Sequence, residues 1–287
     1  MNPRTPDDAH ERAAFERTLR LAAGPLSAEL ELAHLARVDS TNSWTLDREQ
    51  REESSRALLV IADEQSAGRG QHGRSWFASR ERSLALSYLP RPAQRDLDAP
   101  RLSMSAAVAA REVLARCLPR APRLKWPNDL LVDERKLAGI LVESRCFGAR
   151  RVGPVIGIGV NLGVTPEEFP PELRELATSI AIAGGRAPER ASLAGALALG
   201  FERWLERARN AGGREVAEAY LEGLELRGRR VEVATAAGAR HGECLALDPE
   251  RGLHLREDGA TTAVPLHQIA ALRELRFEGP GAAIGGD

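Results

Sequence analysis

The sequence predicts an α+β domain followed by a small all-β unit, and three observations carry that prediction. Between Leu32 and Asn161, short apolar stretches of strand length are interrupted by one segment of helix length. Residues 189–210 and 214–226 then have the length and periodicity of two helices. After Gly228 the pattern breaks into short alternating runs with turn pairs at Asp248-Pro249, Arg251-Gly252 and Asp258-Gly259.

Taken in order, residues 8–23 carry Ala, Phe and Leu at helical spacing and stop at Gly24-Pro25, which defines one short amphipathic helix. Strands follow near 33–38, 57–62 and 84–89, then a helix over about 101–117 that ends before Pro119. Residues 123–126, 130–132 and 136–143 are β-like, the last two joined by a hairpin turn at Asp133-Glu134-Arg135, and 152–161 is a further strand. Gly212-Gly213 separates the two later helices. Strands at 230–234, 242–247, 253–256 and 261–265 suit a small barrel, and the ending GPGAAIGGD has no apolar periodicity. The expected organisation is an N-terminal helix and tail (1–30), a main domain (31–226), a barrel (227–275) and a loose tail (276–287).

Composition excludes several function classes. The 287 residues hold 40 basic and 41 acidic side chains, a formal charge of −1, which argues against a generally basic nucleic-acid-binding surface. An anionic ligand must therefore be met by local charge. With 43% hydrophobic residues, no run approaches the roughly 18 to 20 apolar residues of a membrane span. The start, MNPRTPDDAHER, has neither an export nor a transit pattern, so the expected location is the cytoplasm. Cys117, Cys146 and Cys244 are widely spaced and odd in number, which fits reduced thiols, and the six histidines show no metal-ligand spacing, so no protein-bound metal is expected. Only Lys125 and Lys136 among the basic residues are lysine; base composition accounts for the arginine bias, but the two survivors mark positions where a compact ammonium on a flexible stem is useful.

Four segments carry candidate chemistry. Residues 65–76, QSAGRGQHGRSW, contain G-x-G-x-x-G after a strand, but a dinucleotide fingerprint must open a helix and SWFASRERSLALSYL is extended. That leaves a glycine-rich turn with solvated charges or a loop that brings backbone and two arginines to a ligand anion. Leu124-Lys125-Trp126-Pro127-Asn128-Asp129-Leu130 is either a capped proline turn or a cluster of cation, ring, amide and carboxylate. In Lys136–Glu143, KLAGILVE, strand alternation puts Lys136 on the apolar face of Ala138, Ile140 and Val142, where its ammonium needs an anion or a path to water. Asp39-Ser40-Thr41-Asn42 can cap a helix or bind a polar ligand, and Gly157–Gly163, GIGVNLG, is a bulge and turn or a second amide-bearing site.

The succession DSTN, EQSAGRGQHGRSW, LKWPNDLLVDERKLAGILVES, GIGVNLG and a terminal β-barrel resembles the biotin protein ligases, which attach biotin to the carrier domain of biotin-dependent carboxylases. The resemblance spans about residues 35–270, and its KWPND…KLAGIL block is highly specific. With about 37 residues before the first motif, too few for a helix-turn-helix domain, the expectation is the monofunctional type that does not bind nucleic acid. The resemblance implies a mixed-sheet catalytic domain related to class II aminoacyl-tRNA synthetases and an SH3-like C-terminal barrel. It further implies biotin and ATP as substrates, Mg2+ entering with ATP, biotinyl-5'-AMP as intermediate, a biotin carboxyl carrier domain as acceptor, and a monomer or homodimer.

The resemblance also assigns roles by position. Lys136 contacts the biotin carboxylate and the transferring phosphate, and Arg69 and Arg74 belong to a loop that folds over them. Ser40, Thr41, Asn42 and Gln65 surround the biotin ring and the start of its chain; Gly68, Gly70 and Gln71 lie in the loop, and Gly139 and Leu141 line the wall. Trp76 lies near the adenine, Asn161 reads it, and Asn128 and Asp129 are on the ribose and phosphate side, with Asp129 placed to orient or deprotonate the incoming amine.

Two departures matter. The family usually reads GRGRxGRxW, and Gln71 stands where it has a third arginine, so slower adenylation or a leakier intermediate is expected. Ala78-Ser79-Arg80-Glu81-Arg82 replaces the family's Ser-Pro-x-Gly after the tryptophan. The competing readings are a lipoate-type ligase on the same fold, a biotin-binding regulator without efficient transfer, and, weakest, a nucleotide-dependent oxidoreductase.

Overall fold

A computed structural model describes residues 6–148 and 150–275. The chain divides into two compact units, Met1–Glu225 and Leu226–Asp287.

The first unit is built on a seven-stranded mixed sheet. Its strands are β1 (Leu30–Val38), β2 (Ala57–Gln65), β3 (Ser83–Leu89), β4 (Arg123–Lys125), β5 (Asp129–Val132), β6 (Arg135–Phe147) and β7 (Arg150–Asn161). They lie in the order β1-β2-β3-β7-β6-β5-β4. Only β1 and β2 pair in parallel, and helix α2 (Thr41–Arg51) supplies the crossover that a parallel pair requires. Strand β3 is buried along its whole length, which explains its nearly unbroken apolar run, and one polar member of that run, Ser87, is fully buried.

Alternation gives this sheet two different faces. Leu124, Leu130, Ala138 and Val160 form a cross-strand row of fully buried side chains. On that side pack helices α3 (Ala99–Ala115) and α5 (Arg214–Leu224), with α4 (Arg190–Arg209) against α3 and α1 (Pro6–Ala23) along α4. The α1–α4 crossing is close because Gly195 leaves room: a Cβ there would lie 2.2 Å from the Leu19 carbonyl oxygen. Helix α3 starts at Ala99, two residues before the expected position, because the Asp98 carboxylate accepts from the Arg101 N–H and caps it.

The opposite face is apolar where Leu46 of α2 packs on Leu58, Val60, Leu89 and Val155. It then thins to glycine at Gly139, Gly157 and Gly159, and that thinning creates room for a ligand. Residues 162–188 have little regular structure and no strand or long helix was expected there. They are tied down by Val164, Phe169 and Ala177 packing against Phe77, and by backbone bonds to β6 and β7.

The second unit is a five-stranded antiparallel sheet of β8 (Arg230–Thr235), β9 (Gly238–Asp248), β10 (Gly252–Glu257), β11 (Ala260–Val264) and β12 (Ala271–Glu274), in the order β11-β10-β9-β8-β12. Strand β9 begins at Gly238 rather than Gly242, and β12 was not anticipated. Both segments are short and carry few apolar residues, so pairing with β8 rather than propensity defines them. The Asp248 carboxylate accepts from the backbone N–H groups of Arg251 and Glu250, which holds its pKa below the usual range. Cys244 lies in this core, and burial pushes its thiol up to about 11. Among the described residues, no helix is long and apolar enough to cross a membrane, and no group of three or more His, Cys, Asp or Glu could hold a metal ion.

Candidate active site

The glycine-rich face opens into a cleft lined by both polar and apolar side chains. Its walls come from the start of α2, the end of β2, the loop 66–76, and the central strands β3, β7 and β6.

Lys136 enters the cleft for a reason that strict alternation misses. The β5–β6 register shifts so that Leu130 opposes Ala138 while Leu131 opposes Lys136, leaving Leu137 as an extra residue. That bulge turns Lys136 away from the face of Ala138, Ile140 and Val142, which corrects the expectation from alternation, and sets it above Gly139. A Cβ on Gly139 would stand 3.0 Å from the Lys136 Nζ. The ammonium is 2.6 Å from the Asp129 carboxylate and 5.5 Å from the Trp76 ring centroid. Asp129 Oδ1 makes this contact as an ion pair without hydrogen-bond alignment. The backbone of Lys136 is fixed from the other side: its N–H donates to Leu176 O at 2.8 Å and its carbonyl accepts from Thr178 N–H at 2.9 Å.

The segment 124–130 supplies support rather than a bare turn. Asn128 Nδ2 donates to Ile140 O at 2.6 Å, and the Ile140 N–H returns a bond to Asn128 O at 2.9 Å. Tyr220 of α5 donates its hydroxyl to Pro127 O and meets Trp126 edge-on; burial, and after it the Asp129 charge, raise its pKa well above the usual phenol range.

A polar wall faces these charges. Helix α2 starts at Thr41, but the Ser40 side chain makes no capping bond, so these residues do not serve mainly as a cap. Thr41 donates to Gln65 Oε1 through both N–H and hydroxyl, and Ser87 Oγ lies 2.7 Å from Thr41 Oγ1 and 2.5 Å from Asn42 Oδ1. The Asn42 Nδ2 donates to Leu141 O at 3.2 Å and to Glu143 Oε2 at 2.8 Å. Gly157 accommodates this amide, since a Cβ there would fall 2.4 Å from Asn42 Oδ1.

The loop 66–76 folds back on itself through Trp76 N–H to Gly68 O and Gly70 N–H to Arg74 O. Gly68 is needed where it stands, because a Cβ would lie 2.8 Å from the Trp76 carbonyl oxygen. Its Arg69 pairs with Glu143 at 2.9 Å, while Gly70 and Gln71 line the cleft. The Trp76 ring packs against Gly159, where a Cβ would be 2.1 Å from Cε2, and its indole N–H has no hydrogen-bond partner.

Of the residues singled out from sequence, Ser40, Thr41, Asn42, Gln65 and Arg69 line one cleft. So do Gly70, Gln71, Trp76, Asn128, Lys136, Gly139 and Leu141. Asp129 joins through its ion pair with Lys136. Arg74 does not: its side chain is exposed and outside the lining. Asn161 follows Gly159 on the same face but turns its Nδ2 to Thr178 O, leaving a buried Oδ1 without a partner. Sequence reasoning missed Ser87 and Glu143. The cue for Ser87 is a hydroxyl inside an otherwise apolar strand; for Glu143 it is a carboxylate continuing the odd-numbered face of Gly139 and Leu141.

Comparison with known proteins follows the same lines. Residues 34–161 match the Biotin/lipoate A/B protein ligase family. The chain is 32% identical over 270 residues to the Biotin--[acetyl-CoA-carboxylase] ligase of Mycobacterium tuberculosis, covering 90% of this chain and 96% of that relative. It is 32% identical over 195 residues to the Bifunctional ligase/repressor BirA of Bacillus subtilis, covering 67% of this chain but only 59% of that protein's length. In fold it is similar to the Biotin protein ligase from Aquifex aeolicus in complex with biotin and ATP, with a TM-score of 0.69 and 23% identity over 85% of this chain and 99% of that one. On the extent of the match to the mycobacterial relative, the chain belongs to the biotin protein ligases of the biotin/lipoate A/B protein ligase family.

Proposed function

We infer that this protein is an ATP-dependent ligase that activates biotin as biotinyl-5'-AMP and transfers it to a lysine of a biotin carboxyl carrier domain. One observation carries the reading: two cations, Lys136 and Arg69, reach the same cleft, each already paired with a carboxylate, opposite a wall of hydroxyl and amide groups. A carboxylate and a triphosphate repel one another more strongly as water is excluded, so fixed positive groups must hold them together. The wall of Thr41, Asn42 and Ser87 suits a neutral polar ring; an apolar channel would suit a lipoyl chain.

In the first step a biotin carboxylate oxygen attacks the α-phosphorus of ATP, the bond to the β-phosphate oxygen breaks, and pyrophosphate leaves. Lys136 moves from Asp129 to the developing charge. In the second step a carrier lysine amine attacks the acyl carbonyl and AMP departs. Asp129, freed of its ion pair, is then placed to take the amine's proton. Trp76 and Asn161, with an unpartnered indole N–H and an unpartnered amide oxygen, suit the nucleoside base. Mg2+ would arrive with the triphosphate, since the nearby carboxylates Asp129 and Glu143 are engaged in ion pairs.

The same reading takes the first unit as a relative of the class II aminoacyl-tRNA synthetase catalytic domains and β8–β12 as the SH3-like barrel. It places the protein in the cytoplasm as a monomer or homodimer that does not bind nucleic acid. The deciding experiment combines exchange and transfer: biotin-dependent exchange of labelled pyrophosphate into ATP, and a carrier domain gaining the mass of one biotin. Biotin binding without exchange would make it a sensor and overturn the reading. Gln71 lines the cleft and adds no charge. Gln71→Arg is therefore expected to speed adenylation or slow loss of biotinyl-AMP, checked by single-turnover kinetics and by trapping free intermediate.

A further inference from the structure

We propose that Glu143 is a positioning residue that couples the polar wall of the cleft to the loop arginine through a single carboxylate oxygen. Its Oε2 accepts from Asn42 Nδ2 at 2.8 Å and from Arg69 Nη2 at 2.9 Å. The first bond reaches helix α2 and the second reaches the loop 66–76, elements that share no strand pairing with each other in this region. The inference rests on the ligase reading above and deepens it.

The coupling follows from what each partner can do. Asn42 has its oxygen engaged by Ser87 Oγ and its nitrogen shared between Leu141 O and Glu143, so its amide orientation is fixed by three groups at once. Among these, the carboxylate is the charged acceptor and the strongest. Arg69 has no other side-chain acceptor among the described residues, and the loop it belongs to has no core of its own: His72, Gly73, Arg74 and Ser75 are all exposed. Glu143 therefore draws the loop toward β6. Its own side chain is mostly covered, whereas the arginine is less so.

A ligand carboxylate or phosphate entering the cleft competes with Glu143 for Arg69. When the arginine changes partner, Glu143 keeps Asn42, and the amide stays oriented throughout. The two arms can be separated by substitution. Glu143→Gln retains an oxygen for Asn42 but cannot neutralise Arg69, whereas Glu143→Ala removes both.

Limited trypsin digestion without added ligand reads the loop arm, because cleavage after Arg69 requires the loop to leave β6. Both variants are expected to be cut at Arg69 several times faster than the native protein while arginines outside the loop keep their rates. Steady-state kinetics read the wall arm. Glu143→Ala is expected to raise the KM for biotin about tenfold with a smaller change in kcat, and Glu143→Gln is expected to recover most of that loss. Native cleavage rates at Arg69 in both variants would overturn the proposal. Equal increases at arginines throughout the chain, or equal KM changes in the two variants, would do the same by reducing Glu143 to a general structural role. The digestion result stands whether or not the native protein catalyses pyrophosphate exchange, so failure of the ligase reading is seen separately.

Discussion

Replacing Lys136 with alanine is expected to lower biotin-dependent pyrophosphate exchange by about 10²–10³ while leaving the fold intact. The magnitude is that of removing one preorganised charged donor from a developing oxyanion. The fold should survive because the Lys136 anchors to the segment 162–188 are backbone groups, its N–H to Leu176 and its carbonyl from Thr178, which alanine keeps. Among the described residues, the side chain's one ion pair is with Asp129, itself partly exposed, and such pairs add little to stability. Exchange kinetics beside a thermal melt make the comparison. A variant with native exchange would remove the electrostatic basis of the mechanism, and one that no longer melts cooperatively would show that Lys136 holds the sheet.

The second large effect is expected at a residue with no functional group of its own. In Gly157→Ala the new methyl would lie 2.4 Å from Asn42 Oδ1 and 2.9 Å from its Nδ2, both atoms of a buried amide in the first turn of α2. The amide must rotate, losing its bonds to Ser87, Leu141 and Glu143. Leaving those buried groups without partners costs about 1–3 kcal/mol each before any ligand is considered. Biotin affinity should fall about a hundredfold, read by titration calorimetry, with a lowered melting temperature. An unchanged affinity would mean that Asn42 does not read the ring. Gly159→Ala acts differently, since the Trp76 ring it meets belongs to a loop and can move aside.

Much of the fold was legible because burial on both faces writes itself as an unbroken apolar run over residues 57–62 and a nearly unbroken one over Ser83–Leu89. Helices α4 and α5 were equally plain from periodicity and the Gly212-Gly213 break. The segment 162–188 was not, because backbone bonds to neighbouring strands hold it and no periodic pattern records them. At the site, the motif residues on α2, the loop and β6 converge on one cleft. What stayed hidden is relational: Glu143 acquires meaning only when β6 brings it beside Asn42 and Arg69, about a hundred and about seventy residues earlier in the chain.

Alternation fails at Lys136 because of a single supernumerary position, Leu137, between two strands that otherwise pair in register. The identity of the side chain facing the reactants is thus encoded by a count. Inserting one residue opposite Leu137, between Leu130 and Leu131 of β5, would leave every charged residue of the chain in place, yet regular pairing would then carry the ammonium through to the helix-covered side beside Leu124 and Ala138. A one-codon insertion there would turn the ammonium away from the cleft without removing any functional group.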